Sequence, residues 1–165
     1  MIPHTQNPFS ETDADRRAIW TMLVERDIDA FLAADWSMVE SDFRPEGFLG
    51  LHAHKSELPD SWRLDFPNLE TYRDEWLRQA KAAQAVEYAE PVRDALFRAT
   101  NMRDIDLKGE TAVCHKKFDG TIALKGGGVE VLNWQTLYFC ARLDGHWKIT
   151  GFVGYMPFPM GRPRG

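Results

Sequence analysis

Val129-Glu130-Val131-Leu132-Asn133-Trp134-Gln135-Thr136-Leu137-Tyr138-Phe139-Cys140-Ala141-Arg142-Leu143 is the stretch whose reading decides how this 165-residue chain folds. On an extended backbone Leu132, Trp134, Thr136, Tyr138 and Cys140 share one face, while Val131, Leu137, Phe139 and Ala141 share the other. A sheet with one wet face alternates more cleanly, so both sides of this strand have to be covered. Helices are expected over one side and a second subunit over the other.

Turn chemistry brackets the stretch: Gly126-Gly127-Gly128 precedes it and Asp144-Gly145 follows. Further back, Gly109 and Asp119-Gly120 supply the same signal, dividing the second half into strands near 96–107, 110–118, 129–143 and 146–156. The first half is helical in period. Trp20, Val24, Ile28, Phe31 and Leu32 recur at helical spacing over 13–34, widened by Ile19 and Leu23, with Thr12 as the expected cap. Asp35 breaks the pattern and caps a short second helix carrying Trp36, Val39 and Phe43, which Pro45 and Gly47 stop. A third helix opens at Asn68 and places Leu69, Tyr72, Trp76, Ala80 and Ala83 on one side. Between them 48–54 reads as a short strand and 55–67 as a loop. The domain is expected to span 13–156, with tails 1–12 and 157–165 outside the core.

Composition narrows the function. Hydrophobic residues make up 44% and charged residues 27%, as in a packed globular domain, and a net charge of -5 with dispersed Lys and Arg argues against nucleic acid. No apolar run reaches the roughly 20 residues of a membrane span and the start lacks signal-peptide features, so a cytoplasmic location is expected. Cys114 and Cys140 lack zinc-site spacing and are expected as buried free thiols. Six Trp and ten Phe favour an aromatic-lined interior.

Helices followed by a curved antiparallel meander give an α+β cone, the sheet wrapped around a long N-terminal helix with two further helices. Three stretches carry a resemblance at that point: Ala33-Ala34-Asp35-Trp36, Asp106-Leu107-Lys108-Gly109-Glu110-Thr111-Ala112, and Leu143-Asp144-Gly145-His146-Trp147-Lys148-Ile149. In order and spacing they resemble the nuclear transport factor 2-like superfamily, more narrowly its SnoaL-like, polyketide cyclase-like branch. That superfamily hosts isomerases, dehydratases, cyclases, epoxide hydrolases and non-catalytic proteins, so the fold alone does not give a function.

In the superfamily's steroid isomerases a carboxylate base follows the second helix and an acidic residue in the penultimate strand meets the oxyanion. The resemblance brings His52 and Tyr138 near those positions; neither residue type matches, which points away from that reaction. A neutral His can still accept a proton, and a Tyr hydroxyl can donate to developing negative charge. His52 and Tyr138 are therefore the candidate catalytic pair, with His54 and Asp35 as supporting polar groups and Trp36, Tyr72, Trp76 and Trp134 as the lining. Each also has a plainer role: a hydrogen-bonded strand end for His52, core aromatics for the rings, and a helix cap for Asp35. His52 and His54, one residue apart, point to the same side of a strand and could share a metal. A third ligand is not evident, since Asp35, Asp42 and His115 lie far off in sequence, so no metal or cofactor is expected. His115 falls on the outer face. The expectation is a homodimer, joined through the sheet, that binds a small apolar or aromatic molecule. If an enzyme, it is a cofactor-independent lyase or isomerase working by proton transfer; the alternative is a non-catalytic binding or dimerisation module.

Overall fold

The computed structural model describes residues 3–161. Helix α1 runs over 14–33 in three pieces: α-helical Ala14–Trp20, π-helical Thr21–Arg26 and α-helical Asp27–Ala33. Asp13, rather than Thr12, caps it, its carboxylate accepting the Arg16 N–H, and Ala34 ends it in the left-handed region at φ 50°. Ile19, Trp20, Met22, Leu23, Val24 and Ile28 are all buried, a wider spread than the single stripe of a straight amphipathic helix.

The expected second helix is instead two 3-10 turns, Trp36–Met38 and Glu40–Asp42. Asp35 caps the first, accepting from Ser37 N at 3.0 Å, but Phe43 is already extended and bridges Ile149, so there is no length for an α-helix. The two further helices are α2, Leu69–Gln84, capped by Asn68, and α3, Val92–Ala99, which begins directly after Pro91. Helix α3 displaces the start of the strand expected from Leu96, because Val92, Ala95, Leu96 and Ala99 sit at helical spacing.

Six strands form one curved, unclosed sheet: β1 Leu49–His52, β2 Arg63–Phe66, β3 Thr100–Lys108, β4 Thr111–Ala123, β5 Val129–Leu143 and β6 His146–Met156. Their order is β2-β1-β6-β5-β4-β3. Neighbours are antiparallel except β1 and β6, which run parallel, so the sheet is mixed where an antiparallel one was expected. Gly151 permits that junction, for a Cβ there would lie 2.6 Å from the Leu49 carbonyl oxygen. Asp119-Gly120 is no turn. Strand β4 continues through it to Ala123 with Gly120 facing Leu132, and the glycine is needed because a Cβ would lie 2.7 Å from that of Ala99 on α3. Strand β2, too, lies where a loop was expected.

The concave face carries the core. Leu132, Thr136 and Cys140 of β5 and Ala112, Cys114, Lys116 and Ile122 of β4 are buried there, as the alternation required. Cys114 and Cys140 are free thiols, and the neighbouring Cys114 thiol, then burial, pushes the Cys140 thiol well above its ordinary range. On the convex face Val113 pairs with Phe139, Phe139 with Gly151, and Gly151 with Leu49, leaving Val113, Phe139 and Leu49 exposed in one row. His115 is on that face also, bonded to Gln135. Both tails touch the body: Phe9 packs on the core and Asn7 donates to the Arg17 carbonyl, while Gln135 donates to the carbonyls of Pro157 and Phe158. The expected tail at 157–165 lies partly outside the described residues, as do residues 1 and 2 of the other. Among the described residues no helix is long and apolar enough to cross a membrane.

Candidate functional site

A cavity of about 570 Å³ opens between α1, α2, α3 and the concave face of the sheet, a size suited to a small organic ligand. Its wall draws Ile28 and Phe31 from α1, Tyr72, Trp76, Gln79 and Ala83 from α2, Leu96 from α3, and Phe118, Leu132, Trp134, Tyr138 and Tyr155 from the sheet. Trp134 stacks on Phe118 at 4.6 Å between ring centres, making a flat apolar wall.

Set into this lining is a charge. Lys116 is 1% exposed, and its ammonium donates to the Leu23 carbonyl and to Asp27 Oδ2 at 3.0 Å. Asp27 Oδ1 accepts from Trp76 Nε1 at 3.3 Å. A buried lysine is almost never found without such partners, because an unpaired ammonium in an apolar interior is very costly. The Leu23 carbonyl belongs to the π-helical piece of α1, a geometry that recurs at functional sites. An ammonium has three N–H bonds, and the Leu23 and Asp27 acceptors use two of them. Lys116 also stands 5.2 Å above the Phe118 ring and 6.0 Å above that of Tyr138. Burial, above all, holds the Tyr72 and Tyr138 hydroxyls well above the usual tyrosine range, so both remain protonated.

Of the residues named from the sequence, Tyr72, Trp76, Trp134 and Tyr138 line this cavity. Trp36 does not: it is buried, stacked on Phe43 at 5.0 Å and edge-on to Trp76 at 5.2 Å. Asp35 is spent on Ser37, accepting from its N–H and its hydroxyl. His52 stacks on Tyr155 at 4.1 Å and on His54 at 3.8 Å, behind the lining rather than in it, so His52 and Tyr138 are not brought together. Burial, and then the charge of His54, lowers the His52 pKa. His54 bonds Asp65, Nε2 to Oδ2, at 2.7 Å. Asp42, weighed as a metal ligand, is instead held by Arg26 through two 2.7 Å bonds.

Sequence reading missed Asp27 and Lys116. The signal was present for Lys116, which has the same strand parity as Ala112, Cys114 and Phe118 and so had to face inward.

No family model and no curated protein matches the chain. Solved structures do. An NTF2-like protein of unknown function from Pseudomonas putida KT2440 superposes with a TM-score of 0.57 over 93% of each chain at 13% identity. A nuclear transport factor 2-like superfamily protein from Salmonella enterica gives 0.56 over 93% of this chain and 99% of that one, at 12% identity. An NTF2-like protein of unknown function from Silicibacter pomeroyi gives 0.54 over 88% and 98%, at 15% identity. At these identities the likeness is one of fold.

Proposed function

We propose that this chain, which has the nuclear transport factor 2-like fold, is a small-molecule-binding domain. Its cavity takes a flat, largely apolar molecule carrying one acceptor oxygen, met at the floor by Lys116 and Tyr138. The observation that carries this reading is a single buried ammonium, already paired by Asp27, set in a cavity whose wall is mostly aromatic and aliphatic, with Arg78, Gln79, Gln84, Glu130 and Thr136 as its other polar residues. The pair is neutral as a unit, which favours a carbonyl or hydroxyl on the ligand over a full charge.

Any chemistry in this cavity is cofactor-independent proton transfer of the isomerase, dehydratase or cyclase kind, in keeping with the resemblance to SnoaL-like proteins. Lys116 and Tyr138 stabilise negative charge developing on the substrate oxygen, and Asp27 is the carboxylate at hand to take a proton. The reading keeps Tyr72, Trp76, Trp134 and Tyr138 and leaves His52, His54, Asp35 and Trp36 outside the lining. Ala83→Trp fills the cavity from α2. Binding of 1-anilinonaphthalene-8-sulfonate, followed by fluorescence, is expected to weaken at least tenfold in that variant. Unchanged binding removes the cavity as the ligand site.

The convex face favours a homodimer through the sheet, because Val113, Phe139 and Leu49 form an exposed apolar row at its centre. Light scattering after size exclusion at micromolar concentration is expected to give twice the chain mass for the wild type and the single mass for Phe139→Glu. A monomeric wild type ends this part of the reading.

A further inference from the structure

The β1–β2 end of the sheet holds a cluster that the cavity does not use. His52 closes β1, His54 follows in a turn, and Asp65 stands on β2. One ligand-type atom from each lies within 4.8 Å of the other two. Asp65 is the third group that the sequence left without a candidate, and it comes from the segment read there as a loop.

Several departures from regular backbone assemble this cluster. Strand register slips by one between β1 and β2, since Gly50 faces Phe66 while His52 faces Arg63; such a bulge re-aims side chains, here placing Asp65 against the turn. His54 and Lys55 are both left-handed, at φ 52° and 55°, and so is Tyr155, at 57°. Lys55 N donates to the Tyr155 carbonyl at 2.8 Å, so the strained segments lie side by side. Non-glycine residues in this region are disfavoured, and they gather where a side chain must be held for use.

The donors suit a metal. Two imidazoles and one carboxylate form a zinc-type set with a position left for water. His52 Nδ1 accepts the His54 N–H at 2.9 Å, so it carries a lone pair and no proton; a metal ion takes that lone pair in place of the N–H. The proton between His54 Nε2 and Asp65 Oδ2 occupies the place a cation would take; on binding, it leaves to solvent or to the free ring nitrogen. Tetrahedral zinc with bonds of the usual length sets its ligand atoms about 3.4 Å apart. The cluster closes to that spacing when the exposed His54 and Asp65 side chains rotate, which lifts the His54 ring off its 3.8 Å stack on His52 so that both imidazoles can aim at one ion.

We propose that His52, His54 and Asp65 form a binding site for a divalent transition-metal ion of the zinc type. The test titrates zinc chloride into the full chain, stripped beforehand with a chelator, at pH 7.5 in a calorimeter. One equivalent is expected to bind with micromolar affinity or better, and Asp65→Asn and His54→Gln are each expected to weaken that event at least tenfold. Circular dichroism checks that both variants stay folded. Wild-type heats indistinguishable from those of folded Asp65→Asn, or no binding at all, overturn the site. Cobalt(II) added to the wild type decides independently of the variants: intense visible absorption of a tetrahedral centre supports the site, and the faint spectrum of hydrated cobalt refutes it.

Discussion

Lys116 and His54 are each held by one aspartate, the first from helix α1 and the second from strand β2, yet their surroundings differ completely. The Lys116 side chain is 1% exposed beneath the cavity, whereas that of His54 is 47% exposed at the sheet's end. The buried ammonium cannot exchange its partners for water, so it is fixed in place. The second pair is wet on one side and can trade its shared proton for another cation. The same chemistry, an aspartate beside a basic nitrogen, is thus structural in one place and exchangeable in the other, and solvent decides which.

The sharpest way to break this comparison is to unpair each site in turn. Asp27→Asn leaves the Lys116 ammonium buried without its counter-ion and is expected to cost about 3 kcal/mol in urea unfolding, in the range for breaking a buried pair. Lys116→Met is expected to cost less, because Asp27 is 31% exposed and keeps its bond from Trp76. Equal losses would mean that the lysine is not desolvated as described. Next in size, Asp65→Asn in metal-free protein is expected to change stability by less than about 1 kcal/mol, the worth of an exposed ion pair. A loss as large as that of Asp27→Asn would erase the distinction between the sites.

The smallest effect sharpens the boundary between wet and dry. His52, half-buried behind the cavity, has its pKa lowered by burial and by His54, against the opposing pull of Asp65 and Glu75. The unfolded chain then takes up this proton more readily than the folded one, so stability falls as pH drops through the ordinary histidine range of about 6.5 and levels off below the folded value. Urea midpoints at pH 7.5 and 5 are expected to differ less for His52→Gln than for the wild type. An identical pH dependence in the two would place His52 in full solvent.

Much of this was legible in the sequence because it is local. The two faces of β5, the stripe of α1 and the Asn68 cap depend on neighbours a few residues away, and each is where the period put it. What failed depends on distant contacts. Asp119-Gly120 has the composition of a turn, but its glycine answers to Ala99 across a helix–sheet contact that the strand's own sequence does not announce. Strand β2 has only Leu64 and Phe66 as apolar residues and lies at the sheet edge, so its alternation is too short to read, and Asp65 went unseen with it. Of the site, the aromatic wall was readable from helical and strand spacing. The Lys116–Asp27 contact was not, since it joins residues 89 positions apart.

The π-helical piece Thr21–Arg26 also sets a condition on how chains of this shape can vary. Deleting one residue there would let α1 wind as an uninterrupted α-helix with its two ends in nearly the same relation, because a π turn takes up about one residue more than an α turn. The turn that carries the Leu23 carbonyl to the lysine would be lost, while Ile19 and Trp20 would keep their seats. The extra residue of that turn therefore belongs to the cavity floor and not to the packing of the helix.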